Sequence, residues 1–315
     1  MDISIVIPLL NEEESLPELE AWIDRVMKEH QFSYELIMID DGSTDDSWKI
    51  IQQLNQKNQH IRAFKFQRNY GKSAALNVGF GAAQGDVIVT MDADLQDSPD
   101  EVPELYHMII NEKYDLVSGW KKKRNDPLSK RLPSKVYNFL VRSLTKINLH
   151  DFNCGLKAYR RSVVKSVSVH GDLHRYIPVL AKIAGFKRIG EKVVQHNARK
   201  YGVSKFGLGR ARGMFDLLTL SFIGRFGRKP MHFFGTLGTL SFFLGFIILV
   251  YLSIAKLLYQ AYGIADRPLF YFGILTLILG SQLFLTGFLA EMVIRNKQDN
   301  DQYVIEEIIN QTEKG

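Results

Sequence analysis

The sequence predicts an α/β domain built on a mostly parallel sheet, followed by a two-helix transmembrane hairpin. Three observations carry this: apolar runs alternating with helical stretches over the first 120 residues, acidic turns at the ends of two of those runs, and two long, nearly uncharged apolar segments near the C-terminus. Continuously apolar strands separated by helices belong to a parallel sheet covered on both faces. Ligands of such sheets bind beyond the strands' carboxyl ends, where the acidic turns lie.

In chain order, Ile3 to Leu10 reads as a strand and Ser15 to Glu29 as a helix. The apolar run Leu36 to Ile39 ends in the acidic turn Asp40-Asp41-Gly42-Ser43-Thr44-Asp45. Ile61 to Phe66 reads as a strand, Gly71 to Ala83 as a small-residue helix, and Asp115 to Gly119 as a fifth strand. Between them, the strand Asp86 to Met91 opens directly onto Asp92-Ala93-Asp94. Ser98-Pro99-Asp100-Glu101 then has the form of an N-cap, a first-turn proline and a capping-box glutamate. The glycines of Gly79 to Gly85 have the wrong spacing and place for a dinucleotide fingerprint, which excludes a nicotinamide-binding reading.

Asp92 and Asp94 are the central candidates. Alternate residues on an extended segment point the same way, so both carboxylates face one pocket. On its own such a turn is more often solvated loop. With a second acidic turn beside it, the pair reads as a site where Mg²⁺ or Mn²⁺ would take oxygen ligands from the protein and from a diphosphate, and Gln96 adds a neutral oxygen two residues on. His170 and His174 have helix-face spacing but no third ligand, and read as structural.

Segments 231–258 and 269–294 each carry a single charge near the end, Lys256 and Glu291, and are long enough to span a bilayer of about 30 Å. Arg225, Arg228 and Lys229 precede the first span and Arg295 and Lys297 follow the second, while Arg267 in the loop is offset by Asp266. The positive-inside rule then puts both termini and the α/β domain in the cytoplasm. Charge is divided sharply along the chain. Residues 1–120 hold 9 basic and 22 acidic side chains, and residues 121–230 hold 26 and 5. The basic third adjoins the membrane and reads as a surface for anionic headgroups and for an anionic substrate. A nucleic-acid partner is not expected beside a bilayer anchor and an acidic metal site. The one cysteine, Cys154, rules out an intramolecular disulfide. No secretory signal is expected from Met1-Asp2, which leads straight into the first strand.

These residues together resemble the family 2 glycosyltransferases of GT-A fold, and within them the polyprenyl-phosphate sugar transferases, similar to dolichol-phosphate mannose synthase and bactoprenol glucosyltransferases. Val6-Ile7-Pro8-Leu9-Leu10-Asn11-Glu12-Glu13 resembles the family's first strand and nucleotide-contacting turn, Asp40-Asp41-Gly42-Ser43 its base-binding turn, and Asn69-Tyr70-Gly71-Lys72 the stretch after its third strand. Asp92-Ala93-Asp94-Leu95-Gln96 is similar to its metal and diphosphate motif. The resemblance implies donor contacts from Pro8, Asn11, Glu12, Asp40, Asp41, Lys72, Asp92 and Ala93, and metal ligation by Asp94 and Gln96. It implies phosphate contacts from Lys121 and Arg124 as part of a basic cluster, from Arg131 and Ser134, and from Arg199 and Lys205 in an Arg-x-x-Gly-x-Ser-Lys segment. Arg175 is a further candidate.

The implied reaction is inverting transfer of a sugar from a nucleotide-diphosphate sugar, UDP-glucose being favoured, to a membrane polyprenyl phosphate, with Asp92 and Asp94 at the catalytic centre. One departure stands out. Where some relatives carry an acid, this chain has Gly155 in Asn153-Cys154-Gly155-Leu156-Lys157, so Asp151 is the candidate base, or else it orients a phosphate-binding Lys157 or is simply a turn carboxylate. With tryptophan only at 22, 48 and 120 there is no Gln-x-x-Arg-Trp motif, which argues against a processive polysaccharide synthase. A membrane-anchored transferase with a non-polyprenol acceptor and a non-catalytic nucleotide-sugar-binding scaffold stay open as alternatives. The expected organisation is a GT-A domain over 1–204, an amphipathic juxtamembrane segment over 205–230, the two spans, and a cytoplasmic tail over 295–315. In that tail Tyr303-Val304-Ile305 reads as a short strand able to pair with a neighbouring subunit in a homo-oligomer.

Overall fold

The computed structural model describes residues 1–122, 138–139, 141–169, 171, 173–198, 200–201, 229–259, 263 and 265–297. Arg124, Arg131, Ser134, His170, Arg199, Lys205, the segment 205–228 and the strand expected in the tail lie outside the described residues. The chain divides into two compact units, one bearing the sheet and one the long apolar helices.

The first unit is a seven-stranded sheet of β1 (Ile3–Leu9), β2 (Tyr34–Asp40), β3 (Ile61–Lys65), β4 (Val87–Thr90), β5 (Leu116–Trp120), β6 (Lys157–Arg160) and β7 (Ile189–Val193), in the order β3-β2-β1-β4-β6-β5-β7. Every pairing is parallel except those of β6, which runs antiparallel to both β4 and β5. Along β1 and β2 the side chains alternate between two cores. Ile3, Ile5, Ile7, Leu36 and Met38 face one core, and Val6, Ile37 and Ile39 face the other. The first core is closed by α1 (Leu16–Glu29), α2 (Ser47–Lys57) and α4 (Val102–Ile110), the second by α3 (Lys72–Ala82), α5 (Arg161–Ser166) and α6 (Ile177–Ile183). In α1 the cause is explicit: Leu16, Leu19, Ile23, Val26 and Met27 recur at helical spacing and are all buried. The order reverses between β1 and β4, so a crevice opens where Pro8 to Asn11 and Asp92 emerge from adjacent strands.

Ser98 to Glu101 departs from the capping-box expectation. Pro99–Glu101 forms a 3₁₀ turn running into α4, and Ser98 makes no side-chain cap. Ser98 Oγ instead donates to Asp100 Oδ2 at 3.2 Å, and Asp100 also accepts from Trp22 Nε1 and Arg25, each at 3.1 Å. Glu101 accepts from the Gln195 backbone N–H at 2.9 Å and pairs with Lys192. These acids fasten the turn to α1 and β7, and the competing partners leave none for a cap.

The second unit contains α7 (Pro230–Tyr259) and α8 (Pro268–Lys297), each opened by a proline at a position where its missing N–H costs nothing. Pro230–Leu258 and Pro268–Val293 have mean hydropathies of 2.3 and 1.8 and are long and apolar enough to cross a membrane. Glycines recur every seventh residue along the facing sides, Gly238 and Gly245 on α7 and Gly273, Gly280 and Gly287 on α8. A Cβ at Gly238 would lie 2.6 Å from the backbone nitrogen of Phe284, so the helix backbones approach to a distance only glycine permits.

Candidate active site

The turn after β4 keeps a two-residue alternation. Met91, Ala93 and Leu95 are buried in the core, whereas Asp92, Asp94 and Gln96 are partly accessible. The two carboxylates and the amide therefore share a face, as the spacing predicts, with Ala93 below them. Leu95 adopts a left-handed conformation at φ +58°, and the Gln96 backbone N–H donates to Asp94 Oδ1 at 3.2 Å. The turn is held from outside: Asn197 N–H donates to Gln96 O at 2.9 Å, Asp97 forms a β-bridge with His196, and Lys121 pairs with the fully buried Asp97 at 2.7 Å. Burial would lower the Lys121 pKa, but its pair with Asp97 holds it above the usual lysine range. Lys121, expected at an acceptor phosphate, is thus engaged in bracing the turn.

The loops at the same sheet edge are tied to one another. Asn11, in the left-handed region at φ +51°, takes the Thr44 N–H on its Oδ1 at 2.8 Å and gives its own N–H to Ser43 Oγ at 2.9 Å. Glu12 N–H donates to Ser47 Oγ at 2.9 Å. Asp41 accepts from the Tyr70 and Gly71 backbone N–H groups at 2.7 and 3.0 Å, and burial, followed by the neighbouring Asp40 charge, pushes its pKa up. Asp40 Oδ1 accepts from Ser43 N–H at 2.8 Å, while its buried Oδ2 has no hydrogen-bond partner among the described residues. The carboxylates expected at the base thus lock these loops to one another.

A recess of about 80 Å³ opens beside Asp92. Pro8, Lys72, Asp92, Gly155, Lys157, His174 and Arg175 line it, together with Thr90 and Tyr159, while Asp94 and Gln96 do not. Lys72, at the start of α3, forms an ion pair with Asp92. Burial would raise the Asp92 pKa, but Lys72 and, less strongly, Lys121 and Lys157 hold it down at about 2. Lys157 is placed by β6, whose register sets it opposite Thr90, and its ammonium donates to the Cys154 carbonyl. Burial, with Lys72 nearby, lowers its pKa. Cys154 lies fully buried, and burial pushes its thiol up to about 12, which leaves it a neutral packing group.

Asp151 is 2% exposed, its Oδ1 accepts the Asn153 N–H at 3.0 Å, and it does not line the recess. It supports the turn that presents Gly155. His174 was read from sequence as structural; its backbone N–H donates to Ser73 Oγ at 3.1 Å, and its ring Nδ1 lies 3.2 Å from the same oxygen. Burial, then the charges of Lys72, Arg175 and Lys157, lowers its pKa to about 3, so it faces the recess as a neutral imidazole. Its contact with Ser73 spans 101 residues, and local spacing carries no signal of it.

Among the described residues no group of three His, Cys, Asp or Glu side chains forms a ready metal cage. The donor set of one carboxylate at Asp94 and an amide oxygen at Gln96 fits a hard divalent ion that takes its remaining ligands from phosphate oxygens and water.

A parallel α/β sheet with an acidic turn at its switch point defines a nucleotide-type binding domain, and comparison with known proteins names its family. Residues 4–168 match glycosyl transferase family 2, and the chain belongs to that family. It is 37% identical over 315 residues to a dodecaprenyl-phosphate galacturonate synthase of Rhizobium johnstonii, covering 98% of this chain and 93% of that one. It is 34% identical over 312 residues to an undecaprenyl-phosphate 4-deoxy-4-formamido-L-arabinose transferase of Proteus mirabilis, with 98% and 94% covered. Among solved structures, glucosyl-3-phosphoglycerate synthase of Mycobacterium tuberculosis, in complex with Mn²⁺, UDP-glucose and phosphoglyceric acid, shares the fold. Its TM-score is 0.52 at 21% identity, over 70% of this chain and 79% of that one.

Proposed function

We propose that this protein transfers a sugar from a nucleotide-diphosphate sugar to a membrane polyprenyl phosphate, with inversion at the anomeric carbon. The observation that carries the reading is the shared accessible face of Asp92, Asp94 and Gln96 at the carboxyl end of β4. The named activities of the two relatives above, matched over nearly the whole chain, support the acceptor class. Their donors are uronic and amino-sugar derivatives, so the expectation of UDP-glucose draws no support from them.

Asn11, Glu12, Asp40 and Asp41 frame the base, with the fully buried Asp40 shaping the loop rather than reaching the ligand. Asp94 and Gln96 hold Mg²⁺ or Mn²⁺, which when bound offsets charge on the diphosphate. Lys72 keeps Asp92 ionised and oriented toward the donor. The acceptor phosphate, with a second pKa near 6, is largely ionised at neutral pH. Its oxygen attacks the anomeric carbon, the bond from that carbon to the diphosphate oxygen breaks, and the nucleoside diphosphate leaves with the electron pair. No general base is needed, in keeping with Gly155 and with Asp151 behind the wall, where it positions the turn. Arg124, Arg131, Ser134, Arg199 and Lys205 supply cations and a hydroxyl to the phosphates. The two apolar helices anchor the chain in the cytoplasmic membrane, with the α/β domain and both termini in the cytoplasm.

The test is transfer of labelled sugar from a panel of UDP- and GDP-sugars to undecaprenyl phosphate in detergent, with and without EDTA. A labelled lipid that EDTA suppresses is expected, and Asp94→Ala should lower its formation at least about a hundredfold, in the range seen when one transition-state charge stabiliser is removed. Full activity in that variant sinks the site assignment.

A further inference from the structure

Among the described residues, the lining of the recess beside Asp92 carries more basic than acidic side chains. Three basic side chains line it, Lys72, Lys157 and Arg175, against the single lining carboxylate of Asp92, which pairs with Lys72, while Asp151 acts on Lys157 from outside the lining. Lys157 is 4% exposed and its only hydrogen-bonding partner among the described residues is the neutral Cys154 carbonyl. Arg175, half-buried, makes no ion pair or hydrogen bond among the described residues. His174 beside it is a neutral imidazole and contributes no negative charge. Partly desolvated cations without counter-charge are costly, and a guanidinium is shaped to take a carboxylate in two parallel hydrogen bonds.

The recess is also small and meets the metal turn only at its first residue. Its lining includes Asp92 but neither Asp94 nor Gln96, and its volume of about 80 Å³ suits one substituent rather than a nucleotide or a lipid. A carboxylate borne on a sugar ring is such a substituent. Building on the transfer reading above, we propose that Lys157 and Arg175 form a carboxylate subsite and that the donor is a nucleotide-diphosphate hexuronic acid. Arg175 is the specificity-determining residue, and Gly155 leaves the recess open beside Asp92.

The experiment is calorimetric binding to the full chain in detergent with Mn²⁺ present, comparing UDP-galacturonate with UDP-galactose and UDP-glucuronate with UDP-glucose. At least one uronate should bind about tenfold or more tightly than its neutral partner, a difference of about 1.4 kcal/mol. Arg175→Gln should close that gap to about twofold, and Arg175→Lys should recover part of it, with UDP alone as the control for an intact nucleotide site. Equal affinities within both pairs overturn the proposal, as does a gap that survives Arg175→Gln. An Arg175→Gln effect confined to the KM for polyprenyl phosphate overturns it in favour of the acceptor phosphate. Because binding is read without turnover, a preparation that prefers a uronate yet makes no lipid product keeps the subsite and removes the transfer reading. One that makes product without preferring a uronate does the reverse.

Discussion

Asp92 shows how much a single residue's role depends on neighbours far away in sequence. Its pair with Lys72 and the small size of Gly155 fix where the carboxylate lies: a Cβ at Gly155 would come within 2.5 Å of Asp92 Oδ2. Any side chain at 155 would collide with Asp92 as it lies here, so glycine is what lets the carboxylate take this place. His174 offers a test at this scale. Its folded pKa of about 3 lies below the ordinary value of 6.5, so the unfolded chain binds the extra proton first as pH falls. The stability gained from keeping this ring neutral is complete above about pH 6.5 and declines toward pH 3, by up to about 1.4 kcal/mol per pH unit. Asp92, also depressed, loses its contribution only below its ordinary value of 3.8, toward 2, which leaves the window from pH 7 to 4.5 to His174 among these two. Urea unfolding followed by tryptophan emission reads the α/β unit, because Trp22, Trp48 and Trp120 all lie in it. The wild-type chain should lose stability between pH 7 and 4.5, and His174→Gln should flatten the profile; parallel profiles would show that the imidazole is not held neutral by the fold. The Asp92 to Gln96 face was legible because its period is local. The Lys72, Lys157 and His174 contacts were not, because each joins segments separated by 20 to 101 residues or depends on burial.

At the scale of elements, strands β1 to β5 and helices α1 and α3 follow from apolar runs and helical periodicity, to within a residue or two at their ends. Strands β6 and β7 do not. The first is only four residues with a charge at each end, Lys157–Arg160, and the second is a half-exposed edge containing Glu191 and Lys192. Neither carries the apolar pattern that marks a buried strand, yet β6 is what brings Gly155 and Lys157 beside Asp92. The helical hairpin has the opposite character: its existence is plain from length and hydropathy, and its tightness rests on a few glycines. Gly238→Leu would drive a side chain into the backbone at Phe284 and Gly280, and overpacking of this kind costs about 1–3 kcal/mol. Its aggregation temperature in detergent should fall by several degrees, whereas Leu240→Ala, at an outward position 66% exposed, should leave it nearly unchanged. Equal behaviour of the two would mean that the helices do not pack through this face.

For the whole molecule, the division of labour follows the division of charge and hydropathy. The acidic residues proposed to frame the donor occupy the first 120 residues, the basic residues follow, and the apolar helices come last. Such an order suits a reaction whose donor is water-soluble and whose acceptor is an anionic lipid, because metal, cations and anchor are then met in turn. It also requires a particular topology, since the nucleotide sugar and its loops must share one aqueous compartment. In the proposed orientation, which follows the positive-inside bias, that compartment is on the side of Lys229 and Lys297 and the loop between α7 and α8 is on the other. The single cysteine makes this directly measurable. Cys154 is buried in the α/β unit and its thiol is kept protonated, so it is a poor target for a maleimide and the native chain is its own blank. Ala265 is exposed in the loop between the two helices. With A265C, a membrane-impermeant maleimide added to intact cells, with the outer envelope made permeable, should label the protein strongly, and the native chain should stay unlabelled. Labelling of A265C only after the inner membrane is broken would place the loop in the cytoplasm. The α/β domain would then face away from the nucleotide sugars it is built to bind, and the proposed membrane orientation would have to be abandoned.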